Sequence, residues 1–518
     1  MSNKFEAIKR EKDGLKVKEE IATFARLGWE QIPKDDLEVR LKWLGVFFRP
    51  VTPGRFMLRL RLPNGIITSH QLRILAQIID RYGEEGSADI TTRQNLQLRG
   101  IVIEDLPATL EALHHCGLTS VQSGMDNIRN LTGSPTAGID AHELIDTRPL
   151  LRQLQDLFTN HGQGNPEFAN LPRKFNIAIE GTRDNSVHAE INDLAFVPAR
   201  REGVLGFNVL VGGFFSAKRC DAAIPLDAWV PPDQTVIELS QAVVEIFRDH
   251  GLRENRQKAR LRWLIDAWGI ERFREAVQAK LSFPLLTAAP RDLIDWDKRD
   301  HIGVYPQKQA GFYYVGLHVP VGRLQAEDMF ELARLAEVYG QSEVRFTVEQ
   351  NALIPHIHKT QLSALLAEPL LQKFSIHPAP LQRAVVSCTG AQFCNFAIIE
   401  TKQRAIALAR QLDERLELPR PVRIHWTGCP NSCGQPQVAD IGLLGTKARK
   451  GGQMVDAVDL YLGGKVGKDA RLGTCVRKGI PCDELLEVLT EILVRDFGAR
   501  PRATAAAEPG TQVLMTHS

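Results

Sequence analysis

The chain has no apolar run able to span a membrane. Its longest apolar stretch, Val204 to Ala217, is interrupted by Asn208 and by Gly212-Gly213 and falls short of the ~20 residues a transmembrane helix needs. An apolar h-region is also missing at the start, where Met1 to Lys12 mixes acidic with basic residues. A secretory signal and an acidic-poor transit peptide are both disfavoured, so a cytoplasmic chain without export is expected. Charge of one sign is absent too: 64 Lys and Arg against 62 Asp and Glu leave a net +2, and bulk charge gives no argument for a nucleic-acid partner. No G-x-G-x-x-G string announces a dinucleotide site, and no C-x-x-C-H string attaches a covalent haem. Cysteine is scarce, eight in 518 residues. Cys116, Cys220, Cys475 and Cys482 stand apart and read as reduced thiols, since a disulfide framework is improbable in a chain this size without export.

What is present is the composition of an ordinary globular protein, 43% hydrophobic and 24% charged, with length for about three to four domains. Residues 501–518 are rich in Ala, Thr, Pro and Gly without periodicity and are expected to form a disordered tail. The other four cysteines occur in two short strings, Cys388-Thr-Gly-Ala-Gln-Phe-Cys394 and Cys429-Pro-Asn-Ser-Cys433. Two close pairs separated by about one helix and one strand are able to deliver four thiolates to one [4Fe-4S] cube. Zinc is the rival reading, but all-cysteine zinc knuckles are usually C-x2-4-C, and the first pair is C-x5-C.

The chain carries an internal duplication in the order A, B, A′, B′. Leu62-Pro-Asn-Gly65 corresponds to Val319-Pro-Val-Gly322, about 257 residues on, and each is followed by a helical pattern running to Tyr82-Gly83 and Tyr339-Gly340. The first helix has Ser69 as an expected N-cap, Leu72, Leu75, Ala76 and Ile79 on one face, and Gly83 as its stop. After a one-residue slip Thr91 meets Thr347, and Gln94-Asn95 meets Gln350-Asn351. In the second pair of units Phe175 to Gly181 resembles Val422 to Gly428, Asp193 resembles Asp440, and Val211-Gly-Gly213 resembles Leu462-Gly-Gly464. A duplication of this kind predicts pseudo-twofold symmetry. The copies differ where chemistry would be: the paired cysteines occur only in B′, Arg93 faces Glu349, and Arg59 faces about Gly316. One asymmetric site is expected.

Basic residues cluster in the first half. Phe56-Met-Leu-Arg59-Leu-Arg61 alternates so that both arginines share a strand face. Arg93, Arg129 and Arg173-Lys174 add to the set, in Asp89 to Gly100, Gly124 to Asn130 and Leu171 to Asn176. Alone, each reads as a solvated surface charge; together, beside a cysteine site, they suggest an anion. These strings and the two cysteine pairs, taken together over about residues 20–497, resemble the sirohaem-dependent nitrite and sulfite reductase family, most nearly its cyanobacterial-type, ferredoxin-dependent nitrite-reducing branch.

The resemblance implies an α+β fold: a duplicated nitrite/sulfite reductase fold with pseudo-twofold symmetry and three domains around a central sirohaem/[4Fe-4S] site. A and A′ would share one ferredoxin-like domain. The expected segments are 1–120 and 301–380 for its two halves, 121–300 for a first sirohaem-binding domain and 381–500 for the cluster-binding domain. By the same resemblance Cys388, Cys394, Cys429 and Cys433 hold the [4Fe-4S] cluster, and Cys433 bridges to the sirohaem iron. Arg59, Arg129, Lys174 and Asn176 face the substrate anion, and Arg93, Gln94 and Asn95 hold the carboxylate-rich sirohaem. Cys394 precedes a helical pattern, Phe396 to Leu416, whose N-terminal end would favour an anionic cluster.

The implied activity is six-electron reduction of nitrite to ammonium by reduced ferredoxin. Sulfite reductases typically carry Lys-x-Lys where this chain has Lys174-Phe-Asn176, and one cation fewer suits singly charged nitrite. A sulfite reductase haemoprotein is the alternative; a sirohaem electron carrier or sensor has no need of an anion pocket, and a cobalamin-pathway relative would use a different substrate-facing set. Gly445 to Lys478 holds eight Lys or Arg against three Asp, a candidate docking face for acidic ferredoxin. A monomer is expected, with no nucleic-acid or membrane partner.

Overall fold

The protein is described from a computed structural model covering residues 3–292 and 298–502; the tail expected at 501–518 lies, beyond residue 502, outside the described residues. Two five-stranded antiparallel sheets form the centre. In spatial order the first is Val46–Phe47, Phe56–Arg59, Leu96–Ile101, Ser87–Ile90 and Arg323–Leu324. The second is Gly303–Pro306, Phe312–Leu317, Ala352–His358, Glu343–Phe346 and Ile66–Thr68. Each sheet therefore takes its last strand from the other half of the chain: Ile67 pairs with Val344, and Leu324 with Ala88. The crossings are made at the two matching turns, where Asn64 (φ 61°) and Val321 (φ 48°) are left-handed. A Cβ on Gly65 would lie 2.5 Å from the Phe346 carbonyl, and one on Gly322 2.8 Å from that of Ile90. Glycine is what lets each half approach the other's backbone.

Helices Ser69–Asp80 and Ala326–Tyr339 follow the two turns and pack against each other. Leu72, Leu75, Ala76 and Ile79 of the first and Met329, Leu332, Ala333 and Ala336 of the second enter one core shared by A and A′. The N-cap of the first helix is Thr68, and the expected Ser69 is its first helical residue. The Thr68 hydroxyl accepts from Gln71 N at 3.2 Å while the Gln71 side chain accepts from Thr68 N at 3.0 Å. This reciprocal box satisfies two end donors, and Ser69, with Leu72 three residues on, has no such partner. Helical geometry ends at Asp80, before the expected stop, and Gly83 instead opens a separate short turn.

B and B′ each form a sheet of the same topology on their own core. Thr132–Gly133, Ile177–Ile179 and Leu194–Arg201 run parallel, then Val204–Val211 and Ile224–Val230 turn antiparallel. Val385–Ser387, Ile424–Thr427, Ile441–Lys450, Gln453–Leu462 and Thr474–Pro481 repeat this order. The matched residues do matched work: Asp193 accepts from Asn176 N at 2.8 Å, and Asp440 from Arg423 N at 2.9 Å. The architecture is α+β and duplicated, with a shared A/A′ body flanked by B and B′. Short helices between Lys4 and Leu44 tie the body to B, with the Trp43 indole donating to the Ala169 carbonyl at 2.6 Å.

Candidate active site

Parallel pairing of Val385–Ser387 with Ile424–Trp426 sets the ends of two strands side by side, and the two cysteine pairs leave from those ends. Cys388 N donates to the Trp426 carbonyl at 3.1 Å, and Gly428 N donates to the Cys388 sulfur at 3.1 Å. Cys394 N is held on the Gly390 carbonyl at 3.1 Å. Burial pushes the Cys429 thiol up to about 12, and the charges of Cys433, Cys388 and Cys394 push the same way. Cys388 is raised by burial and then by Cys433. The four sulfurs are electrostatic neighbours, and such thiolates form at neutral pH when a cationic centre binds them.

The helix expected from Phe396 begins at Lys402 and ends at Arg415. Residues 395–401 form a loop, because the Thr401 hydroxyl, the natural cap, donates instead to the Cys388 carbonyl at 2.8 Å. That bond keeps the helix N-terminus beside the cysteines.

Cys433 is exposed on a cavity of about 510 Å³ lined by all four units, including Arg59 and Arg93 of A, Arg129, Lys174 and Asn176 of B, Gln350 of A′ and Cys388 and Gln435 of B′. Its wall holds ten Lys or Arg and one carboxylate, Asp89. Asp89 is itself engaged by Arg99 and Arg323, each at 2.6 Å, and by Lys402 at 3.5 Å. Arg256 and Arg260 are paired behind the wall with Asp126 and Asp193, whereas Arg59, Arg93, Arg129 and Lys174 are disfavoured as charges. Burial brings Arg59 down to about 10, with Arg49 adding to it, and brings Arg93 to about 10, with Arg260 adding to it. Arg129 and Lys174 are held well below their ordinary values, first by burial and then by Arg59 and Arg260 respectively. An anion in the cavity relieves every one of these shifts.

The residues expected to face the anion carry unmet bonding capacity. Arg129 is aimed by the carbonyls of Ser123 (2.6 Å) and Met125 (2.8 Å), and its buried Nε lacks a partner among the described residues. Arg59 reaches the Ser123 carbonyl at 3.4 Å and lies over the Phe47 ring at 4.5 Å. The Asn176 backbone is fixed by Asp193, which Arg260 grips with two bonds of 3.1 and 2.6 Å; the buried Asn176 Oδ1 is unpaired among the described residues. Arg93 donates to Asn192 at 3.0 Å. Such a wall fits a carboxylate-rich macrocycle next to an iron-sulfur cube and a small anion.

Two expected residues sit differently. Gln94 is fully buried away from the cavity wall and accepts from Gly133 N at 3.0 Å; its twin Gln350 accepts from Ser387 N at 2.9 Å. Asn95 reaches the wall, but its amide donates to the Leu60 carbonyl at 2.5 Å. The pair therefore braces the Thr91–Asn95 turn. Arg61, on the same face in the alternation argument, is buried and bonds the carbonyls of Gln122, Ile128 and Arg129 at 3.0, 2.7 and 3.1 Å. Missed were Lys42, Arg49, Arg256, Arg260 and Lys402, all on the wall. They lie in strings such as Arg253-Glu-Asn-Arg256-Gln-Lys-Ala-Arg260, which read as solvated surface; no sequence signal separates them.

A family model described as the nitrite and sulphite reductase 4Fe-4S domain matches residues 124–285 and 379–501, and the nitrite/sulfite reductase ferredoxin-like half domain matches 50–116 and 305–371. A ferredoxin–nitrite reductase of Synechococcus elongatus is 66% identical over 97% of this chain and 98% of that protein. A chloroplastic ferredoxin–nitrite reductase of Zea mays is 53% identical over 96% and 90%. The solved NirA protein of Mycobacterium tuberculosis superposes with a TM-score of 0.87 at 32% identity, covering 95% of this chain and 93% of that one. By motif, duplicated fold and relatives alike, the chain belongs to the nitrite and sulphite reductase family.

Proposed function

We propose that this protein reduces nitrite to ammonium with electrons from reduced ferredoxin, in a site where Cys388, Cys394, Cys429 and Cys433 would hold a [4Fe-4S] cluster, with Cys433 on the side of the cavity that would take a sirohaem. The observation that carries the reading is the wall of ten cations against one carboxylate, opening onto the exposed Cys433. The ferredoxin–nitrite reductases of 66% and 53% identity support the same activity.

When bound, the two metal groups would supply single electrons to the substrate anion. The chain does the rest. Arg93 and its cationic neighbours bind carboxylates of the macrocycle, a task suited to a guanidinium fork. Arg59, Arg129 and Lys174 attract the anion and stabilise negative charge as each oxygen leaves. Lys174, whose ammonium has no hydrogen-bond or ion-pair partner among the described residues and whose proton is loosened by burial, donates protons and is recharged from water. Asn176 offers a neutral amide where one more cation would favour a doubly charged substrate. The overall change takes up six electrons and eight protons and releases two waters.

The reductant docks on the B′ sheet, where Arg449, Arg477 and Lys478 lie on two strands of the sheet from which the cysteine loops leave. Lys447 and Lys450 contribute less, because they are paired with Asp456 (2.5 Å) and with Asp483 and Glu484 (2.7 and 3.0 Å). No helix among the described residues is long and apolar enough to cross a membrane, and a cytoplasmic monomer is the form proposed. Anaerobic turnover with reduced ferredoxin tests the function: kcat/KM for nitrite should far exceed that for sulfite, with ammonium as product. A preference for sulfite, with sulfide formed, would overturn it.

A further inference from the structure

We infer that His188 and Glu349, neither of which lines the cavity or bonds to a cysteine among the described residues, are positioning residues for Cys433; the inference rests on the cofactor reading above. The Cys433 loop is held in an unusual shape. Ser432 (φ 55°) and Gln435 (φ 58°) are both left-handed, and a side chain on Gly434 would overlap the Trp426 carbonyl. Non-glycine residues keep such conformations only where their surroundings over-determine them.

Here the surroundings take three successive carbonyls. Cys433 O accepts from the Thr92 hydroxyl at 3.0 Å, and Gly434 O and Gln435 O lie 3.0 and 3.1 Å from His425 Nδ1. Thr92 is itself held, because its carbonyl accepts from Gln435 Nε2 at 3.2 Å. With that nitrogen committed, the Gln435 oxygen faces His188 Nδ1 at 3.0 Å, and His188 Nε2 faces a Glu349 carboxylate oxygen at 3.1 Å. Both ring nitrogens of His188 are thus engaged, one by Gln435 and one by Glu349, so the ring is held from two sides. Lys298 pairs with the same carboxylate and anchors the far end.

The chain of bonds Cys433–Thr92–Gln435–His188–Glu349–Lys298 draws on all four units. His188 and Gln435 are also counterparts in the duplication: each is left-handed and each opens a short turn, Ala189–Ile191 and Pro436–Val438. Their mutual bond therefore lies where the two halves meet. Glu349, standing where the first half has Arg93, supplies the acceptor that an arginine could not. Remove it and His188 loses the partner that orients its ring. The Gln435 amide is then free to turn, and Thr92 no longer holds Cys433.

The test uses holoenzyme bearing Glu349→Leu or His188→Leu, with Glu349→Gln as the conservative variant that keeps an acceptor oxygen. Two readouts besides turnover are the electron paramagnetic resonance signal of the ferric sirohaem and the rate of cluster bleaching by an iron chelator. The leucine variants should broaden or shift the signal and bleach about ten-fold faster or more, the range seen when supporting residues of metal ligands are removed; Glu349→Gln should stay within about three-fold of wild type. Leucine variants that melt as wild type does, with its signal and bleaching rate, overturn the inference. If they do not fold, Thr92→Val, which deletes only the hydroxyl on Cys433 O, must show the same two changes, and wild-type behaviour there overturns it equally. Wild-type protein assayed in parallel for iron, sulfide and sirohaem separates the two readings, since their absence there refutes the function itself.

Discussion

Replacing Asn176 with lysine should move the substrate preference toward sulfite. The Asn176 backbone is pinned by Asp193, which Arg260 holds in turn, so the new side chain starts from an unchanged position on the cavity wall. An ammonium about 4 Å from the bound anion contributes roughly 4 kcal/mol per substrate charge at an effective dielectric near 20, and sulfite carries one charge more than nitrite. The cavity resists part of that gain. Lys174 and Arg129 are already held well below their ordinary values by burial and by each other's neighbours, and a further cation meets the same burial and repulsion. If about half the gain survives, the ratio of kcat/KM for sulfite over nitrite rises by about ten- to thirty-fold, at ~1.4 kcal/mol per decade. The assay is turnover of both anions on one cofactor-replete preparation near neutral pH, with sulfide and ammonium quantified. A ratio within about two-fold of wild type, at equal sirohaem content, would refute the charge-counting argument. The shift should also fade at alkaline pH, where a lysine so placed is neutral.

Lys174→Met should lower kcat/KM for nitrite by about 100-fold or more, as expected when one residue supplies both charge and protons. In the wild type, anion affinity should be full below the lowered pKa of Lys174 and be lost as pH rises through it, well before the ordinary lysine range. Lys174→Arg should hold affinity to higher pH, and identical profiles in a nitrite titration followed by absorbance would contradict the assignment. Arg449→Glu should slow ferredoxin-driven turnover and spare a small dye donor, whereas Lys447→Glu, starting from an ion-paired residue, should do less; equal loss with both donors would remove the docking face. Cys429→Ser should cut iron and sulfide per chain sharply, while Cys116→Ser, whose half-buried thiol bonds the Leu113 carbonyl at 3.3 Å far from the other cysteines in sequence, should leave both unchanged.

The duplication was legible because its landmarks are backbone features. A Pro-x-Gly turn, a Thr-x-x-Gln-Asn turn and an aspartate that accepts from the opposite strand depend on short local strings, and these survive divergence. The strand exchange between A and A′ was not legible, since Ile66–Thr68 and Arg323–Leu324 carry no sign of which sheet they join. The cysteine pairs stand out in the sequence by spacing, and Arg93, Arg129 and Lys174 by the strings around them; the structure brings these three cations to one cavity wall with Cys388 and Cys433. Gln94 was misread as facing a ligand: it belongs to the same string as Arg93, but its left-handed backbone (φ 54°) turns the side chain into the body of the protein. Arg260 was missed for the opposite reason, because a charged loop in sequence becomes a buried wall only when Asp193 folds against it.

The loops that carry the cysteines explain why one site exists and not two. Counting along the duplication, Thr182 occupies the place of Cys429 and Ser186 that of Cys433. In B that loop closes on an internal carboxylate: Glu180 accepts from the Thr182 hydroxyl at 2.7 Å and from the Ser186 hydroxyl at 2.8 Å, with Val187 N at 3.2 Å. Burial, with Asp184 beside it, raises Glu180 to about 7. Glu349, opposite Arg93, is likewise neutralised from within by Lys298. The B loop and Glu349 thus satisfy their polar groups from within, one in each half, while Cys388 and Cys433 of B′ and Arg59, Arg93, Arg129 and Lys174 of A and B line one cavity. Restoring thiols alone should therefore not rebuild a second cluster. Thr182→Cys with Ser186→Cys is expected to leave iron and sulfide per chain unchanged, because Glu180 still fills the loop and no counterpart of Cys388 and Cys394 lies beside it in sequence. A doubling of iron and sulfide in that variant would show that the carboxylate is not what closes the loop.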